Sequence, residues 1–171
     1  IYNNQLVKSV KCFGIAIAMH LWQNRVMQQE LNSTEKIFIV DDDQLTANIY
    51  AQQLKNLGCE DIQIFNNGQD CLNALIDDPT IILLDHQMEN LTGMEVLKKV
   101  KRFDPNIYVV FISGQEDIST AVEALKLGAF DYIIKGENDI QSIEKVLIKI
   151  KNVKEMLNRK EPGFFRRFIF L

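Results

Sequence analysis

The sequence predicts an α/β fold built on a five-stranded parallel sheet. Two observations carry this. Short apolar runs alternate five times with segments of helical periodicity between Lys36 and about Leu157, and one of those runs is apolar at every position. Strands alternating with helices imply parallel βαβ units with right-handed crossovers. A strand without a polar face implies helices on both sides of the sheet.

The elements follow in order. Ile37-Phe38-Ile39-Val40 is the first strand, and Leu45, Ile49, Leu54 and Leu57 give the next helix an apolar side that stops at Gly58. Ile62-Gln63-Ile64-Phe65 is the second strand. Asn66-Asn67-Gly68 leads into an amphipathic run through Leu72, Leu75 and Ile76. Ile81-Ile82-Leu83-Leu84 is the fully apolar third strand, and Val96, Leu97 and Val100 mark a helix that ends before Asp104-Pro105. The fourth strand is Ile107–Ile112. Its helix runs from about Asp117 to Leu127 and is closed by Gly128, a usual residue after a helix C-terminus. Tyr132-Ile133-Ile134 is the fifth strand. A long helix follows, with Ile140, Ile143, Val146, Leu147, Ile150, Val153 and Leu157 on one side.

Composition narrows the function classes. The 171 residues are 47% hydrophobic and 25% charged, an ordinary globular balance that excludes disorder of the whole chain. No apolar stretch approaches the ~20 residues of a spanning helix. Three cysteines, Cys12, Cys59 and Cys71, make no metal-type spacing and fit a reduced cytoplasmic compartment. The net charge of −4 is unevenly spread: residues 37–148 carry 8 basic and 19 acidic side chains, residues 149–171 carry 7 and 2, and residues 1–36 carry 4 and 2. So acidic a body is a poor non-specific nucleic-acid binder.

In an open parallel sheet, ligands bind beyond the carboxyl ends of the strands. The first strand ends in Asp41-Asp42-Asp43, the third in Asp85, the fourth in Ser113-Gly114 and the fifth in Lys135-Gly136. Crowded carboxylates repel unless a cation intervenes. An all-oxygen donor set suits Mg²⁺. A carboxylate can take a phosphoryl group as an aspartyl-phosphate, with a lysine and a hydroxyl holding the phosphoryl oxygens. Each residue alone reads as a turn, a cap or a solvated surface group. Together, at the ends of four strands, they read as Mg²⁺-dependent phosphoryl acceptance on an aspartate.

Residues 36 to about 155 resemble the receiver domain of two-component response regulators, of the stand-alone chemotaxis and sporulation type. The resemblance rests on Ile39-Val40-Asp41-Asp42-Asp43, on Leu83-Leu84-Asp85 with Met88 and Gly93 after it, on Ile112-Ser113-Gly114, and on Asp131-Tyr132-Ile133-Ile134-Lys135. It implies a flavodoxin-like doubly wound sheet of order 2-1-3-4-5 with five helices. It further implies that Asp85 accepts the phosphoryl group from a histidine kinase or phosphotransfer protein. Mg²⁺ would be held by Asp41, Asp42, Asp85 and the main-chain carbonyl of Gln87. Ser113 takes the switch position, Lys135 that of the family's lysine, and Tyr132 that of the aromatic whose rotamer follows the switch. Output would run through protein contacts at the fourth helix, fifth strand and fifth helix, with a downstream protein target and a phosphorylation-dependent dimer among its forms. Such a domain is a phosphoacceptor rather than an enzyme.

Two residues depart from the family pattern. Glu89 stands four residues after the acceptor, and Gly136 follows the lysine, where the family usually has proline. The Lys135 loop is therefore expected to be looser, with phosphorylation rate and lifetime affected more than the site itself. Gln87 and Gln115 flank the site, as candidates to orient water or as solvated surface groups. His86 follows Asp85 but is expected to point away from it, which argues against a relay.

The expected organisation is an extension at residues 1–35, a receiver at 36–158 and a basic, aromatic tail at 159–171. The first segment reads either as an amphipathic helix with Leu6, Val10, Phe13, Ile17, Leu21 and Trp22 on one side, or as sequence upstream of a start at Met27. The tail Phe164-Phe165-Arg166-Arg167-Phe168-Ile169-Phe170-Leu171 is too short to span a bilayer and is expected to fold back, meet a partner groove or touch an anionic surface. Nothing in it forms a DNA-binding module, so direct DNA binding is not expected. Two alternatives remain. The chain is the receiver part of a longer regulator, or Asp41-x-Asp43 belongs to a haloacid-dehalogenase-like phosphatase, which would leave Asp85 without a role.

Overall fold

The computed structural model describes residues 35–114 and 118–159. Five strands, β1 (Ile37–Val40), β2 (Ile62–Phe65), β3 (Ile81–Asp85), β4 (Tyr108–Ser113) and β5 (Asp131–Ile134), form one parallel sheet in the order 2-1-3-4-5. The helices between them are α1 (Gln44–Asn56), α2 (Gly68–Asn73), α3 (Gly93–Phe103), α4 (Ile118–Lys126) and α5 (Asp139–Arg159).

Alternate residues of a strand face opposite sides, and each side has its own core. Ile37, Ile39, Ile81, Leu83, Val110, Ile112 and Ile133 pack with α1 and α5. Phe38, Val40, Ile82, Leu84, Val109 and Phe111 pack with α2, α3 and α4. Every residue of β1 and β3 is therefore buried, which is why neither strand carries a polar face. Cys59 and Cys71 lie buried, one in each core, as free thiols.

Local chemistry sets the helix ends. Asp43 caps α1 through its side chain, Asn67 caps α2, and Thr92 with Glu95 forms a reciprocal capping box on α3. Gly58 and Gly128 follow α1 and α4 with φ of 90° and 96°, which a side chain would strain. Among the described residues, no helix is long and apolar enough to cross a membrane.

Three details differ from the sequence reading. First, α1 buries Ala47, Tyr50, Ala51 and Leu54, whereas Leu45 is 70% and Ile49 44% exposed. Ala47 and Ala51 face the sheet together with Tyr50 and Leu54, and Leu45 and Ile49 fall outside that contact. Second, Asn67 and Gly68 are the cap and first residue of α2. That helix tightens into a 3₁₀ turn at Ala74–Asp77, which rotates Ile76 out to 85% exposure. Third, β4 starts at Tyr108 and includes Ser113.

Candidate functional site

The strand order reverses between β1 and β3, and the crevice there opens at their carboxyl ends. Asp41, just past β1, is 2% exposed, and Asp85, the last residue of β3, is 4% exposed. With the exposed Asp42 they offer three carboxylate oxygens that all lie within 4.8 Å of one another. The local backbone explains how they stay there. Asp43 N–H donates to Asp41 Oδ1 at 2.9 Å, and Glu89 N–H donates to Asp42 Oδ2 at 3.2 Å. Behind Asp85, Gly93 N–H donates to the His86 carbonyl at 3.0 Å. A Cβ at Gly93 would stand 2.2 Å from the Asp85 carbonyl oxygen, so the α3 N-terminus meets the strand end backbone to backbone.

Lys135 supplies the cation. Its amide donates to the Ser113 carbonyl at 2.8 Å, and its Nζ lies 2.8 Å from both Asp41 Oδ2 and Asp85 Oδ1. The lysine thus reaches both buried carboxylates with glycine after it. Burial pushes the Asp85 carboxyl above its ordinary pKa, with the Asp41 charge adding to the rise and Lys135 opposing it. For Lys135, burial disfavours the ammonium, but its hydrogen bonds and charge contacts with Asp41 and Asp85 outweigh that and hold its pKa above the usual lysine value. Three carboxylates around one ammonium leave negative charge to spare, and the donors are all oxygen. That set fits a hard divalent cation such as Mg²⁺.

The other expected residues lie around this cluster. Ser113 is fully buried at the end of β4, in register beside Ile134. Tyr132 is half-buried, its ring stacked on Phe111 with centroids 6.0 Å apart, and it lies outside the acidic cluster. Gln87 is exposed and lines, with Asp42, His86, Met88, Glu89 and Thr92, an open cleft of about 410 Å³. The His86 ring packs 5.4 Å from that of Phe111, away from the acceptor position. Gln115 lies outside the described residues, as do most of the two terminal extensions, 1–34 and 160–171. Asp43 uses its carboxylate on α1, accepting from Leu45 N–H and the Thr46 hydroxyl, which removes it from an Asp-x-Asp pair.

One residue near the site escaped the sequence reading. Tyr50 is 3% exposed, and its hydroxyl donates to Asp139 Oδ2 at 2.8 Å. The signal was present, since Ala47, Tyr50, Ala51 and Leu54 recur at helical spacing. Leu45 and Ile49, more hydrophobic than tyrosine, obscured it.

A family model described as the response regulator receiver domain matches residues 37–147, about two thirds of the chain. Luminescence regulatory protein LuxO of Vibrio campbellii is 38% identical over 98 residues, which are 57% of this chain and 21% of that protein. Transcriptional regulatory protein ZraR of Klebsiella oxytoca is 37% identical over 100 residues, 58% of this chain and 22% of that protein. The chain thus spans about a fifth of the length of these curated relatives. Among solved structures, a CheY-like receiver domain protein from Methanospirillum hungatei superposes with a TM-score of 0.64 at 27% identity, covering 72% of this chain and 99% of the other. NtrX from Brucella abortus gives 0.66 at 26% identity, over 75% of this chain and 30% of that one. With its sheet order, its acidic strand ends and this match, the chain belongs to the response regulator receiver domain family.

Proposed function

We propose that this receiver takes a phosphoryl group on Asp85 from a histidine kinase or phosphotransfer protein, with Mg²⁺ held by Asp41, Asp42, Asp85 and the Gln87 carbonyl. The observation that carries the reading is the meeting of three carboxylates from two strand ends with one lysine 2.8 Å from the two buried ones. A carboxylate oxygen of Asp85 attacks phosphorus as the bond to the donor's nitrogen or oxygen breaks, and the donor leaves with the electron pair. Lys135 faces the oxygens that gain negative charge, beside the buried Asp41 and Asp85 carboxylates, where such contacts are stronger than in open water. When bound, Mg²⁺ offsets the repulsion between acceptor and phosphoryl group. Ser113 and Tyr132 then serve as the switch, and the α4–β5–α5 face carries the output to a protein partner. Exposed Ile118, Val122, Leu125 and Ile134 on α4 and β5 support such a face. In this reading the receiver is residues 36–158, with 1–35 and 159–171 as extensions, in a cytoplasmic signalling protein rather than a classical enzyme.

The relatives' greater length favours a second reading alongside it, in which this receiver is the input part of a longer regulator. The genomic reading frame around these residues tests that. For the site, the test is intact mass after acetyl phosphate with and without Mg²⁺, on wild type and Asp85→Asn. One Mg²⁺-dependent, base-labile phosphoryl group that disappears in the variant is expected. Equal labelling of both proteins would overturn the assignment.

A further inference from the structure

Lys135 sits at the start of a loop with little to hold it. β5 pairs only with β4, at the edge of the sheet, and Gly136 is exposed, with nothing within 4 Å of where a Cβ would be. Glycine in such a loop has much conformational freedom to lose. Both polar backbone groups of Gly136 are nevertheless taken up by one residue. Asp139 Oδ2 accepts from Gly136 N–H at 3.4 Å, and Asp139 N–H donates to the Gly136 carbonyl at 3.2 Å. The same Oδ2 accepts the buried Tyr50 hydroxyl at 2.8 Å. Tyr50 belongs to α1, the helix that Asp43 caps, and Asp43 N–H is bonded to the carboxylate of Asp41. Two bridges therefore join the same pair of chain segments: Lys135 to Asp41 inside the site, and Asp139 to Tyr50 behind it.

We propose that Tyr50 and Asp139 are positioning residues, a clamp that holds the glycine-containing loop against α1 and so keeps the Lys135 ammonium between Asp41 and Asp85. Burial and the Asp139 carboxylate push the Tyr50 hydroxyl well above its ordinary pKa, so it remains a donor at every pH at which the protein works. A buried phenol always needs an acceptor, so the distinguishing question is whether this bond acts through Lys135. The clamp rests on the reading of Asp85 and Lys135 given above, and its test separates the two.

The test uses wild type, Tyr50→Phe, Lys135→Ala and the double variant, each checked for folding by circular dichroism. The first readout is the labelling rate of Lys135 by limiting acetic anhydride, followed by peptide mass mapping. Loss of one buried hydrogen bond is expected to raise it about fivefold in Tyr50→Phe. The second is phosphoryl uptake from acetyl phosphate, expected to fall by a similar factor in Tyr50→Phe and by nothing further when Lys135 is already alanine. Asp139→Ala is expected to raise labelling in the same way, and stands in if Tyr50→Phe does not fold. Labelling of Lys135 at the wild-type rate in the folded variants overturns the clamp. So does an equal loss of uptake with and without Lys135, which would make the bond a packing contact only. Labelling needs no phosphorylation, so a wild-type protein that takes up no phosphoryl group overturns the acceptor reading while labelling still decides the clamp.

Discussion

The two rims of the sheet hold charge in opposite ways. At the amino end three lysines have acceptors of their own. Lys154 Nζ lies 2.6 Å from Glu35 Oε1, Lys36 Nζ donates to the Asp77 carbonyl at 2.8 Å, and Lys149 pairs with Asp131 at 2.9 Å while lying 5.1 Å over the Phe130 ring. At the carboxyl end, one lysine faces three carboxylates, two of them buried. Paired charges fasten α5 and the strand starts to each other. Lys135 ties Asp41 to Asp85, yet negative charge remains in excess, and its repulsion is relieved by a further cation or by protonation. The difference separates a rim whose charges are matched from one that keeps negative charge in excess.

The largest effect expected from breaking this contrast is at Asp85. Asp85→Asn is expected to abolish phosphoryl uptake, while Glu35→Gln at the other rim leaves it at the wild-type level by the same mass measurement. Next, Lys135→Ala is expected to slow uptake on the order of a hundredfold with Mg²⁺ dependence retained. Urea unfolding should show it less stable by about 2 kcal/mol, because Asp41 and Asp85 lose their shared partner and Lys135 is itself partly exposed. Asp42→Asn is expected to raise the Mg²⁺ concentration needed for half-maximal uptake roughly tenfold, through loss of one charged oxygen ligand.

The smallest effect is also the sharpest discriminator, because its sign differs between the rims. Lys154 and Thr80 outweigh burial and depress the Glu35 pKa, so its ion pair contributes fully above the ordinary carboxylate range and is lost as pH falls through the depressed value. Glu35→Gln should cost below about 1 kcal/mol at neutral pH. Burial raises the Asp85 pKa, so its charge disfavours folding above that raised value, and the penalty fades as pH falls through it. Without Mg²⁺, Asp85→Asn should therefore melt higher than wild type at neutral pH and converge with it in acid. A lower melting temperature for both variants would refute the contrast.

Most of the frame was legible because strand burial leaves a plain mark. β1 and the first four residues of β3, covered on both faces, are all apolar, and the polar residue that follows each run is where the crevice opens. The aspartates could be read for the same reason, and Lys135 as the first cation after the short apolar run Ile133-Ile134. What could not be read depends on distances across the chain. Whether α1 presents Leu45 or Tyr50 to the core depends on how close Ala47 and Ala51 let it lie. The tightening of α2 that expels Ile76 follows no local signal, since Leu72, Leu75 and Ile76 fit one continuous helix equally well. The hydrogen bonds of Asp139 to Gly136 and to Tyr50 could not be read either, since Tyr50 stands 86 positions before Gly136 in sequence.

The acidic half of the site hangs on β1 and β3, in the interior of the sheet, whereas its cation follows β5 at the border. A border strand is hydrogen-bonded on one side only and opens at lower free energy than interior strands. Solvent deuterium should therefore replace the Lys135 amide proton, bonded to the Ser113 carbonyl, sooner than those of β1 and β3. Any ligand that engages the ammonium will slow that exchange, making one backbone proton a gauge of how firmly the lysine is held.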